Sequence, residues 1–190
     1  MAKRHSKKGV KRTVKTAKKT VKKVLKAVNK VKEKLPKIPS TPVTRYLLEH
    51  GVAFSPLPHS RAAYTSEEIA KERHRPTSSI VKCIVLTDGE NSCIACVPGD
   101  RKVKAGLVRD VLGTGKLQFA GESLLRKLTG MPAGTTAPIG IKQTLPVIVD
   151  KKLAAKGKVS ISSGNPKFGL ELAVGDLIKL AGAKIAAISE

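Results

Sequence analysis

Tryptophan is absent from this 190-residue chain, and aromatic residues of all kinds make up 3% of it. The core that a 41% hydrophobic content allows must therefore be largely aliphatic. Acidic residues are scarce, 14 against 37 Lys and Arg, which gives a formal charge of +23. Cysteine is scarce as well, with Cys83, Cys93 and Cys96 in apolar, strand-like context. An odd number so placed argues against a disulfide framework and for a reducing compartment, so cytoplasm is the expected location. No apolar run approaches the roughly 18–20 residues of a membrane-crossing helix, and no signal-peptide pattern precedes the body. The N-terminus is Lys-rich and Ser-poor, where a transit peptide favours Arg and Ser.

Familiar catalytic motifs are missing too. No serine sits in G-x-S-x-G, and no glycine string has P-loop or dinucleotide form. His5, His50, His59 and His74 are scattered, without an H-x-x-x-H pair. Cys93 and Cys96 form a lone C-x-x-C, but residues three apart on a strand point to opposite faces and no second pair lies at finger spacing. Core packing is the expected role of these cysteines. No metal and no cofactor is called for.

What is present is charge, unevenly placed. Residues 1–38 hold 16 Lys and Arg against Glu33 alone, a net of +15, which leaves +8 for the rest. A chain of this balance expects a polyanion, nucleic acid before membrane. Within the tail, Val10, Val14, Ala17, Val21, Val24, Val28, Val31 and Leu35 repeat at alternating intervals of four and three. That is an a/d stripe over about four heptads. The pattern admits a solvated charge run, a homodimeric coiled coil, a basic helix that orders on RNA, or a membrane-surface helix. Lysine at nearly every flanking position would make two copies repel. In the RNA reading, Lys11, Lys15, Lys18 and Lys22 contact phosphates. Pro36, Pro39 and Pro42 end the tail's helical pattern.

From residue 39 the composition becomes that of a mixed domain. "TPVTRYLLEHG" predicts a helix capped by Thr41, with Pro42 in its first turn and Gly51 at its stop. "VAFSPL" predicts a short strand, and "TSEEIAKERH" a helix opened by a capping box of Thr65 and Glu68. "SIVKCIVLTDGENSCIACVP" predicts a hairpin about "DGEN". "RKVKAGLVRDVLG" predicts helix, "KLQFA" strand, and "GESLLRKLTG" helix stopped by Gly130. Strands are expected near 146–149, 158–162 and 168–172, then a helix near 174–181 and a last strand "KIAAIS". The class is α+β, a mixed sheet or open β-barrel wrapped by helices.

Two stretches invite chemistry. Lys82 interrupts the apolar run "SIVKCIVL" on a face shared with Ile80 and Ile84. A lysine there either meets an anion in a cleft or reaches solvent from an edge strand. "GTTAPIG" packs two glycines and a proline into seven residues, a loop shaped for close approach to its backbone. "SSGNPKFGLEL" is a further glycine-containing connection, readable as a hairpin turn.

Taken in order, "PHSRAAYTSEEIA", "IVKCIVL", "VPGDRKVKAGLVRDVLG", "GMPAGTTAPIGIKQTLPVIVD" and "SISSGNPKFGLELAVGDL" resemble the YbaK/prolyl-tRNA synthetase editing-domain family, over about residues 41–190. The tail has no part in the resemblance. It implies a free-standing aminoacyl-tRNA deacylase that hydrolyses the ester of a wrong amino acid, typically cysteine or alanine on tRNA for proline. By the same resemblance, Lys82, Gly134 and Pro138 hold the catalytic positions. The lysine would contact the terminal adenosine or its phosphates. The Gly134–Pro138 backbone would face the ester carbonyl, where a side chain on Gly134 would obstruct approach. Tyr64, Cys83, Gly140, Ser162, Gly164 and Gly169 would line the aminoacyl pocket. Two positions depart from cysteine-specific members, Cys83 where threonine is usual and Gly169 where aspartate is, so the amino acid stays open. Implied partners are aminoacylated tRNA and, beyond it, prolyl-tRNA synthetase or the ribosome. The rival expectation is a non-catalytic RNA- or ribosome-binding protein that keeps the fold as a module. Oligomeric state is not legible.

Overall fold

The computed structural model describes residues 20–22 and 36–190. The chain divides into two units, Met1–Lys37 and Ile38–Glu190. In the first, residues 20–22 are helical and Lys22 is exposed. The heptad stripe as a whole, and Lys11, Lys15 and Lys18, lie outside the described residues. No helix among the described residues is long and apolar enough to cross a membrane.

The second unit opens with α1 (Pro42–Glu49). Thr41 and Thr44 cap it reciprocally, each hydroxyl accepting from the other's amide at 3.2 and 2.8 Å. β1 (Ser55–Pro58) follows. It is displaced toward the C-terminus from "VAFSPL", because its ladder with a later strand begins only at Ser55 opposite Glu171. Helix α2 (Ser66–Arg73) has the expected capping box. A 3₁₀ turn (Thr77–Ser79) leads to β2 (Val81–Thr87) and β3 (Ser92–Pro98), the predicted hairpin. Helix α3 (Ala105–Leu112) starts later than "RKVKAGLVRDVLG" suggests. Val103 bridges Ser189 and the Lys104 amide donates to Ile188 O at 2.8 Å, so residues before Ala105 belong to a ladder with the C-terminal segment.

The remainder is β4 (Gln118–Phe119), α4 (Glu122–Thr129), β5 (Val147–Asp150), a four-residue α5 (Lys151–Ala154) that the sequence did not signal, β6 (Lys158–Asn165), β7 (Phe168–Ala173), α6 (Val174–Leu180) and β8 (Lys184–Ala186). Two sheets result. One is mixed, in the order β4-β2-β3-β5-β8, with β3, β5 and β8 parallel; the other is antiparallel, β1-β7-β6. A single parallel bridge, Ile80 to Ser160, links them. The fold is α+β with a mixed sheet that does not close into a barrel.

Period two decides where each β side chain goes. Val85, Cys96, Val149, Ile161 and Leu170 fill the main core, which the strands of both sheets share. Leu86, Cys93, Ala95, Val97 and Ile148 form a second cluster with Val108 of α3. Cys93 and Cys96 therefore point to opposite faces, as their spacing requires. β5 is buried at all four residues, which accounts for the continuous "VIV" of a strand covered on both sides. Its last residue, Asp150, is 1% exposed: Oδ1 accepts from the Lys152 amide at 2.8 Å and Oδ2 from the Ile188 amide at 2.9 Å. That one carboxylate caps α5 and pins the C-terminal segment beside β5.

Candidate active site

A cavity of about 380 Å³ opens where the first turn of α2, the start of β2, the Gly134 loop and β6 converge. Tyr64, Lys82, Cys83, Gly134 and Ser162 all line it, so five of the nine body positions marked by the resemblance come together there. Residues as distant in sequence as Tyr64 and Ser162 meet because the Ile80–Ser160 bridge brings the start of β2 against β6.

The Gly134 loop presents backbone to this space. Gly134 has φ +77, and an added Cβ would lie 3.1 Å from Tyr64 O and 3.2 Å from Tyr64 Cβ. A side chain there would thus crowd Tyr64, which lines the same cavity. Thr135 folds the loop back, its amide and its hydroxyl donating to Pro132 O at 3.1 and 2.9 Å. The amides of Gly134 and Thr136, both at the cavity, have no hydrogen-bond partner among the described residues. The Thr136 hydroxyl is buried and also unpartnered. Unused donors at a cavity wall suit an oxygen that gains negative charge.

Lys82 is half-buried near the cavity's edge. Its Nζ donates to the carbonyls of Gly99, at 3.3 Å, and Arg101. Burial pushes its pKa below the ordinary lysine value, an effect opposed by Glu67 and Asp100. The ammonium is held by backbone oxygens, with no carboxylate in contact among the described residues, so its charge stays available to an anion. Cys83, on the opposite face of β2, has its Sγ 3.8 Å from Cys96 Sγ and packs on the main core.

The sequence did not single out Arg73, yet it lines the same cavity. It is 4% exposed: Nε donates to His59 Nε2 at 2.9 Å, and Nη1 donates to Ser160 Oγ at 2.8 Å and Ile161 O at 3.0 Å. Burial pushes the guanidinium down to about 10, so it remains charged at neutral pH. A signal was present: Arg73 stands four residues after Ile69, on the buried stripe of α2.

The other marked positions lie elsewhere. At Gly169 a Cβ would sit 2.2 Å from Arg73 Nε, so the guanidinium takes the place of any side chain there. A Cβ on Gly140 would meet Pro42 O at 2.8 Å, which ties this glycine to the start of α1. Pro138 and Gly140 line a separate hollow of about 130 Å³ beside Tyr46 and Leu180. Gly164, φ +86, sits at the irregularity near the end of β6, where an added Cβ would make only ordinary contact with Met131 and Thr41. None of these four lines the cavity.

The model of the aminoacyl-tRNA editing domain family matches residues 60–180. Among similar proteins, a proline–tRNA ligase from Geotalea daltonii is 33% identical over 98 residues, 52% of this chain and 16% of the ligase. The prolyl-tRNA editing protein ProX of Acetoanaerobium sticklandii is 28% identical over 126 residues, 63% of this chain and 77% of that protein. The chain thus spans only about a sixth of the ligases that it matches. A solved structure of a candidate trans-editing enzyme for prolyl tRNA synthetase superposes with a TM-score of 0.70 at 26% identity, covering 78% of this chain and 95% of that one.

Proposed function

This chain belongs to the aminoacyl-tRNA editing domain family, and we propose that it hydrolyses mischarged aminoacyl-tRNA in trans, with cysteine or alanine on tRNA for proline as the substrates. The observation that carries this reading is the pair of unpartnered amides, Gly134 and Thr136, in a cavity that also holds Lys82. Water attacks the ester carbon, and the carbonyl oxygen gains charge that fixed N–H donors favour over the neutral ground state. The carbon–oxygen bond to the ribose breaks, the ribose oxygen takes up a proton, and the free amino acid leaves. When the substrate is cysteine, its own thiol can attack in place of water: the carbon–sulfur bond forms as the ribose oxygen leaves with the thiol proton, and water then opens the resulting β-thiolactone to free cysteine. Lys82 places positive charge near the terminal nucleotide and its phosphates.

Selectivity rests on the cavity wall. Cys83 supplies a small apolar lining, and Arg73 fills the space above Gly169. Discrimination by a methylene or a hydroxyl in such a pocket is worth about 1–3 kcal/mol, so these two positions are enough to set the amino acid. The basic tail adds phosphate contacts that give affinity without sequence choice.

Deacylation of Cys-, Ala- and Pro-tRNA for proline by the full chain tests this directly. One mischarged species should be cleared selectively. Lys82→Ala should abolish that clearance and leave bulk tRNA affinity within about twofold, because most phosphate contacts lie elsewhere. Hydrolysis unaffected by Lys82→Ala would remove the site assignment. No hydrolysis of any mischarged species would favour a binding module.

A further inference from the structure

On the other side of Lys82 lies a second hollow of about 320 Å³, which shares Lys82 and Ile84 with the cavity as walls. Lys102, Lys104 and Phe119 line this outer hollow together with Val103 and Glu190. Phe119 is 64% exposed, an unusual cost for a ring in a chain with only three phenylalanines. It is held there by β4, whose two residues pair with β2 so that Phe119 stands opposite Leu86. Period two puts Leu86 on the same face of β2 as Lys82 and Ile84, so Phe119 shares that face.

Charge here is mostly of one sign. Among the residues that line this hollow, Lys82, Lys102 and Lys104 stand with one acidic side chain, Glu190, while Glu67 and Asp100 act on Lys82 from outside it. Glu190 pairs with Lys104 at 2.5 Å. Both partners are about half exposed, so the pair is weak and readily exchanged for another anion. An exposed ring bordered by lysines matches single-stranded nucleic acid, whose unstacked bases lie on aromatic faces while cations follow the phosphates. A duplex offers no free base face to the ring.

We propose that this groove seats the unpaired 3′-terminal nucleotides of the RNA substrate, with a base stacked on Phe119 and phosphates against Lys102 and Lys104. The identity of that RNA rests on the editing reading above. An ester held at the Gly134 loop leaves its nucleotide at the mouth beside Lys82, and the chain preceding that nucleotide runs out along the groove.

The test uses the full chain and a short single-stranded RNA with 2-aminopurine next to its 3′-terminal nucleotide. Stacking on Phe119 should quench the fluorescence, a local readout that tail binding does not mimic. Phe119→Ala should lose the quench and weaken binding about tenfold, as alanine substitution of a stacking ring does, and Phe119→Tyr should restore both. Joint Lys102→Gln and Lys104→Gln substitution should weaken binding and lower its salt dependence. An undiminished quench in Phe119→Ala, or equal competition by a blunt duplex, would overturn the proposal. Deacylation separates it from the editing reading. Phe119→Ala should raise KM and spare kcat; hydrolysis with unchanged KM would overturn the groove alone. A Phe119-dependent quench without any hydrolysis would uphold the groove and overturn the editing reading.

Discussion

Arg73 shows how one side chain can dictate others far away in sequence. Its guanidinium requires glycine at 169, fixes the Ser160 hydroxyl on β6 and selects the tautomer of His59. Because His59 Nε2 accepts from Arg73, its Nδ1 carries the proton and donates to Pro166 O at 2.9 Å. Burial, then the nearby Arg73 charge, hold the imidazole below its ordinary 6.5. Above 6.5 both folded and unfolded chains carry neutral His59; below it the unfolded chain takes up the proton first, so stability declines as pH drops. Glu72 acts in a lower window. Hydrogen bonds from Ser60 hold it at about 2, and its contribution is lost only as pH falls below the ordinary 4.5. Thermal melting should therefore lose stability as pH falls below about 6.5, and His59→Gln should flatten that limb while keeping the acid limb that Glu72 sets below the ordinary 4.5. An unaltered limb in His59→Gln would assign the loss to other groups.

At the scale of elements, helix α2 couples stability to the site, since its first turn is a wall of the cavity. The Thr65 hydroxyl accepts from the Glu68 amide at 3.2 Å, and the Glu68 carboxylate accepts from the Tyr64 and Thr65 amides at 3.1 and 3.2 Å. Thr65→Ala should cost about 1 kcal/mol, read as a lower urea midpoint with an unchanged m-value. This box was legible from Thr65 and Glu68 three residues apart, as were the hairpin about "DGEN" and the Gly130 stop of α4. Elements set by distant partners were not. The start of α3 depends on residues 188 and 189, and β4 is only as long as its two pairs with β2.

At the scale of the molecule, the charge is split between a tail of +15 over residues 1–38 and a body of +8. If the tail tethers RNA, it carries most of the salt dependence and the cavity carries the chemistry. Replacing Lys11, Lys15, Lys18 and Lys22 together by Gln in the full chain should lower the slope of log affinity against log salt by about 3, at roughly 0.7–0.9 for each phosphate no longer neutralised. kcat for deacylation should hold. A slope unchanged by all four substitutions would give the tail another task.

Composition, charge placement and local pattern pointed to a polyanionic partner, determined the α+β class and most element types, and singled out Lys82 and Gly134, because each depends on residues close together in the chain. The order of motifs carried the family. Which positions share the cavity was a tertiary matter. Tyr64, Lys82, Gly134 and Ser162 meet only once β2 and β6 are bridged, while Gly140 and Gly169 are glycine for two different close approaches and Gly164 for its positive φ, none at the cavity. A glycine in a sequence marks either a backbone angle that side chains resist or a place where a side chain has no room; only the folded chain shows which, and at Gly169 a buried arginine fills the room.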